Sequence, residues 1–236
     1  MQQAGCFQTF KVNTQTHLLL ACAVLIPAAS SYRASNVVGG IEVVDGVEVA
    51  GVSEPRTLLL TIAAITGALL PDVSIFVMWG IAKSQGVAES IIWSDWYYSS
   101  FWQSMGAITN SFPLYLMLAV GAWWAGARFS PGGGRWVKFI LVFASAAILH
   151  VVADFPLHHD DGHPHFWPFT QWIFSSPVSY WDPRHYGRIW SWIELLIALL
   201  LIAIIWRRFR SRISKVVLVL VALSYIAATA YWLTAF

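Results

Sequence analysis

Long apolar stretches separated by short polar ones set the plan of this chain. Six of them read as membrane-crossing helices, at about 17–31, 57–82, 110–127, 136–155, 189–206 and 216–233. The first holds Pro27 and lies near the lower length limit of a span, roughly 17 residues. The second is long enough but carries Gly67, Pro71 and Asp72 inside it. Proline removes a backbone donor and kinks a helix, while a carboxylate at membrane depth marks a partner or a water-filled cavity. Residues 1–16 form a polar tail ahead of one membrane domain, 17–236. In the first loop, the alternation from Ile41 to Val49 predicts a small hairpin about Asp45-Gly46. Residues 83–109, with Trp93, Trp96, Tyr97, Tyr98 and Trp102, read as an amphiphilic segment along the headgroups. Ser130-Pro131-Gly132-Gly133-Gly134 is a turn into the fourth span. The predicted fold class is all-α, a polytopic integral membrane protein of about six transmembrane helices.

Composition agrees with that plan. Of 236 residues 58% are hydrophobic and 11% charged, and the mean hydropathy is +0.62, which leaves too little polar surface for a water-soluble globule. The net charge of +2 comes without a long basic run, so nucleic-acid binding has no electrostatic footprint and membrane lipids are the expected partners. Cys6 and Cys22 sit at different depths and make no metal or redox spacing. No apolar run precedes Cys6, so no cleaved leader is expected. The basic residues are asymmetric: Arg33, Arg56, Arg128, Arg135, Lys138 and the cluster from Arg207 to Lys215 fall on one side, with Lys11, Lys83, Arg184 and Arg188 opposite. The positive-inside rule then puts the segment 83–109 and the loop 155–188 outside.

That orientation gathers the polar residues. Six of the seven histidines and four of the twelve acidic residues lie between His150 and Gly187. His17 opens the first span at the outer face, Asp72 lies in the outer half of the second, and His150 and Asp154 end the fourth there. His150 and Asp154 are one helical turn apart and share a face. Imidazole and carboxylate are the ligands of catalytic zinc, which lowers the pKa of a water to about 7. His17, Asp72, His150 and Asp154 therefore form the candidate metal set, with His158 and His159 of the following His-His-Asp-Asp run as further ligands or a second site. The alternative is that the two aspartates cap broken helices while the histidines bond to backbone carbonyls. Asp160, Asp161 and Glu194 are the candidate general bases; Glu194 equally suits pairing with a histidine, Arg184 or Arg188. Trp167, Trp172, Trp181, Trp190 and Trp192 read as an interfacial belt. No phosphate loop, nucleophile elbow or H-E-x-x-H is present.

The early His17, Leu69-Leu70-Pro71-Asp72, His150-x-x-x-Asp154 and Trp167-Pro168-Phe169 resemble the membrane-bound metal-dependent hydrolase family of DNA-damage-inducible bacterial inner-membrane proteins. The chain departs from that family twice, with Ser74 where a second aspartate is usual and Asn110 in place of the histidine of a Thr-His-Ser motif. Longer runs, Asp154 to Asp161, His165 to Pro168 and Ser176 to Pro183, are similar to bacterial membrane proteins often labelled as cobalamin-biosynthesis amidotransferases. No cysteine setting or nucleotide loop here supports that activity. The resemblance implies a multi-pass protein of the bacterial inner membrane, hydrolysing an ester or phosphodiester at the outer face with a divalent ion, zinc by preference. It equally admits a non-enzymatic protein whose His/Asp cluster is a degenerate metal- or partner-binding site.

Overall fold

The computed structural model describes residues 13–26, 55–129, 134–209 and 211–235, and those are all helix, turn and loop. The hairpin expected about Asp45-Gly46 and most of the turn beginning at Ser130 lie outside the described residues. The helices are α1 (Asn13–Leu25), α2 (Pro55–Leu69), α3 (Val73–Ser84), α4 (Glu89–Ile91), α5 (Ser100–Thr109), α6 (Phe112–Phe129), α7 (Arg135–Asp154), α8 (Gly187–Arg208) and α9 (Arg212–Ala235). Five stretches are long and apolar enough to cross a membrane: Leu58–Ser84, Ser100–Phe129, Arg135–Leu157, Gly187–Arg208 and Arg212–Ala230. A shorter apolar helix, Thr14–Leu25, accompanies them.

Helices in lipid gain little from burying hydrocarbon, so they associate where small side chains let backbones approach. That is how α2 meets α7. Ala63, Ala64, Ala68, Ala144, Ala146 and Ala147 are buried, and a Cβ on Gly67 would collide with the Phe143 carbonyl. On the other side of α1, Leu19 and Ala23 pack with Ala198, Leu201, Ile202 and Ile205 of α8 and with Leu218 and Tyr225 of α9. The short α1 is thus enclosed by α2, α7 and α8. Its far end is held by the Arg208 guanidinium, which donates to the carbonyls of Ala23 and Ile26.

Pro71 interrupts the second span. Leu70–Asp72 tightens into a 3-10 turn, and the chain restarts as α3. The Pro71 carbonyl accepts from Thr109 Oγ1 at 3.0 Å and from Asn110 Nδ2 at 3.2 Å, so the junction of α5 and α6 closes the break.

The segment expected to lie wholly along the interface divides. Its first part does form an irregular turn, organised by Glu89, whose carboxylate accepts from Trp79 and Trp93 and faces Lys83 Nζ at 3.3 Å. Its second part, α5, instead runs into α6 across a two-residue break, and Ser100–Phe129 together has the length and composition of a span. The aromatic content of 93–102 concealed a helix that the third span, expected from residue 110, leaves out.

Candidate functional site

A broken helix, a helix start and a helix end bring polar side chains to one end of the bundle. His150 donates through Nδ1 to the Ala68 carbonyl at 2.7 Å, and its Nε2 lies 3.5 Å from Asp72 Oδ1. The other oxygen of Asp72 accepts from the Thr14 hydroxyl. The His17 ring stacks on His150 with centroids 3.8 Å apart and planes at 28°. His17 Nε2 lies 3.7 Å from Asp154 Oδ1. Asp154 Oδ2 accepts from His158 Nε2 at 2.6 Å, and Asp161 Oδ1 accepts from His158 Nδ1 at 2.9 Å. Trp181 Nε1 donates to Asp161 Oδ2 at 2.9 Å. Burial alone would push His158 toward its neutral form, but the Asp154 and Asp161 carboxylates outweigh it and raise its pKa well above the usual value.

The result is a continuous polar line from Thr14 to Trp181. Of the residues the sequence singled out, His17, Asp72, His150, Asp154, His158 and Asp161 are on it. His159, Asp160 and Glu194 are not. Asp160 is exposed. Glu194 meets neither a histidine nor an arginine as expected; its Oε1 accepts from Thr16 Oγ1 at 2.6 Å, and Thr16 lies 2.7 Å from the Tyr225 hydroxyl. His159 donates through Nδ1 to the Ser176 carbonyl at 2.6 Å and stacks on His185. Trp181, expected as part of a belt, points its indole N–H inward at Asp161.

The loop is strapped to the helix ends by its backbone. Ser176 N donates to the His158 carbonyl at 2.8 Å, Tyr180 N to Leu157 at 3.1 Å, and Phe112 N to His165 at 2.9 Å. The loop closes on α8 through Tyr186, whose φ of 66° is left-handed, followed by Gly187, where a Cβ would lie 2.8 Å from the Asp182 carbonyl oxygen. His163 and His165 are buried beneath it. Burial, then the charge on His158, lowers His163 to about 4; burial, then His163, lowers His165 to about 4. Tyr97 donates to the Asp161 carbonyl at 2.6 Å, a contact with no signature in the spacing.

Both ring nitrogens of His17 and Nε2 of His150 are buried without a hydrogen bond. Buried polar atoms of that kind call for a ligand, an ion or water. Two imidazoles and two carboxylates are a donor set of the type zinc takes, and separations of 3.5 and 3.7 Å are close to the roughly 3.3 Å between two ligands on one tetrahedral ion. As placed, they make two half-sites: among the described residues no group of three or more His, Cys, Asp and Glu side chains converges on one ion position. The two family positions that differ here are used structurally. Asn110 Nδ2 donates to the Gly106 and Pro71 carbonyls, and Ser74 Oγ lies 3.3 Å from Thr109 Oγ1.

The enclosed apolar helices and the buried polar end described above define a multi-pass α-helical membrane protein with an interior His/Asp cluster. Residues 12–235 match the YdjM inner membrane protein family, and the chain belongs to that family. It is a multi-pass protein of the bacterial inner membrane. The match agrees with the resemblance to DNA-damage-inducible inner-membrane proteins and carries neither a hydrolase activity nor a cobalamin role. No curated protein and no solved structure matches the chain.

Proposed function

We propose that the protein is a metal-dependent hydrolase acting on an ester or phosphodiester at the membrane surface, on the outer side that the basic residues assign. One observation carries the reading: three unpartnered ring nitrogens of the stacked His17 and His150 are buried between the carboxylates of Asp72 and Asp154. Those four residues would hold a divalent ion, zinc by ligand preference. Bound there, it would supply Lewis acidity and an activated water. Around it, Ala68 and Thr14 orient His150 and Asp72. His158, doubly bonded to carboxylates, orients Asp154 and holds a proton beside the site. Asp161 is then a positioning residue, whereas Asp160 at the surface and Glu194 on Thr16 stand apart from the proton path.

Asn110 supports a second reading. Its amide is committed to closing the broken helix, which suits a non-catalytic descendant that keeps the cluster for metal or partner binding.

Elemental mass spectrometry of the detergent-purified protein beside a His150→Ala/Asp154→Ala variant tests the proposal. Near-stoichiometric zinc or manganese that disappears in the variant supports it, and hydrolysis of a chromogenic phosphodiester or a lipid ester then separates enzyme from binder. Absence of metal from a well-folded wild type sinks the hydrolase.

A further inference from the structure

From Phe166 to Trp181 the loop between α7 and α8 carries no Asp, Glu, Lys, Arg or His. A loop that met only water would turn polar groups outward, yet this one presents its largest apolar side chains. Phe169 is 78% exposed, Trp172 51%, Ile173 45% and Phe166 39%. A contiguous exposed patch of that kind marks a surface that something else covers.

The patch is rigidly mounted. Phe155, the residue after Asp154, stacks on Phe174 with centroids 4.9 Å apart and planes at 15°. Trp172 lies 6.0 Å from both Phe174 and Phe166, and Phe166 lies 5.8 Å from Phe112 at the start of α6. Two hydrogen bonds fix the same junction. Phe112 N donates to the His165 carbonyl at 2.9 Å, and Ser111 Oγ donates to the Trp167 carbonyl at 2.5 Å.

Those ties set the depth of the patch. The 18 residues of α6 rise about 27 Å, close to the roughly 30 Å of a bilayer's hydrocarbon. With Arg128 at the inner edge, Phe112 comes to the outer one. Leu116 and Val120 follow it at successive turns of the same face, and both are exposed toward lipid. Phe166 therefore caps a lipid-facing stripe, and the patch continues it. Irregular backbone is excluded from the hydrocarbon core but is satisfied at the headgroup level, where water reaches it. The turn also bonds to itself, with Phe169 N donating to the Phe166 carbonyl at 3.0 Å.

We infer that Phe166, Phe169, Trp172 and Ile173 form a lip that docks into the outer leaflet, its partner being the headgroup and upper acyl region of the surrounding phospholipids. Aromatic rings are favoured at that level, where an apolar body and a wet edge are both accommodated. The lip uses no residue of the set assigned to the hydrolytic ion, and it stands if that reading fails.

The test uses full-length protein carrying Cys6→Ser and Cys22→Ala, one chain per nanodisc of phosphatidylethanolamine and phosphatidylglycerol. A nitroxide is attached through Phe169→Cys, through Asp160→Cys in the same loop, or through Leu116→Cys on the lipid face of α6. Power-saturation electron paramagnetic resonance then compares collisions with oxygen, which concentrates in lipid, and with chromium oxalate, which stays in water. The label at position 169 is expected to favour oxygen, as at 116, whereas the label at 160 favours chromium oxalate. A label at 169 that behaves like the one at 160 overturns the lip. One shielded from both reagents overturns it as well, because protein then covers the patch in place of lipid. Should Phe169→Cys fail to fold, Trp172→Cys gives the same reading from the same patch.

Discussion

The rings of His17 and His150 lie face to face at 3.8 Å although α1 and α7, which carry them, are far apart in the sequence. Among the described residues neither ring nitrogen of His17 makes a hydrogen bond, and Nε2 comes no nearer to Asp154 than 3.7 Å, so the ring is held chiefly by stacking and by its neighbours' shape. His17→Phe preserves that shape and removes two orphaned polar atoms. It is expected to leave thermal stability of the metal-free protein within about 1 kcal/mol of wild type, or above it, while abolishing metal uptake. His17→Ala opens a cavity and should cost roughly 2–4 kcal/mol. Thermal unfolding of the two variants in detergent, with metal content, checks both.

Asp154 faces two histidines and Asp160 faces solvent. Asp154→Asn leaves the doubly protonated His158 with Asp161 as its one remaining carboxylate in a buried setting. A loss of about 3 kcal/mol is expected. Asp160→Asn should stay within roughly 0.5 kcal/mol. Equal effects from the two substitutions would contradict this placement.

Two glycines in spanning helices should respond oppositely to a methyl group. Gly67→Ala drives a Cβ into the Phe143 backbone where α2 and α7 touch, and neither backbone can yield alone. Destabilisation of about 1–3 kcal/mol is expected. A Cβ on Gly121 meets nothing within 4 Å, so Gly121→Ala should be neutral or slightly stabilising.

Three buried loop histidines make contributions of opposite sign to the pH dependence of stability. His163 and His165, at about 4 when folded, take up protons on unfolding, so stability falls as pH drops from 6.5 toward 4. His158 has the opposite sign. Its folded pKa is raised, so the stability it contributes is complete below 6.5 and is lost as pH rises toward the folded value. A His163→Gln/His165→Gln variant should flatten the acid limb only, and a pH series of unfolding midpoints reads this directly.

The spans were legible because a run of hydrocarbon long enough to cross a bilayer has few other uses. Their ends were less so, for a physical reason. α1 already includes Thr14 and Thr16 ahead of His17, and these residues, which look like tail, turn inward to Asp72 and Glu194. α5 was hidden since tryptophan and serine mark an interface as readily as a helix. His17, Asp72, His150 and Asp154 stood out by depth alone, each a polar group where lipid would otherwise be. The partners of Glu194, Trp181 and Tyr97 were not legible, since a contact between residues far apart in the chain leaves no trace in local spacing.

The walls around α1 govern how the site is assembled. Every element it packs on comes later in the chain: α2 and α7, then α8, whose Arg208 clasps the carbonyls of Ala23 and Ile26. A chain arrested after α7 already carries His17, Asp72, His150 and Asp154 but lacks the His158–Asp161 brace on Asp154 and the α8 wall of α1, so it is expected to bind metal more weakly than the whole chain.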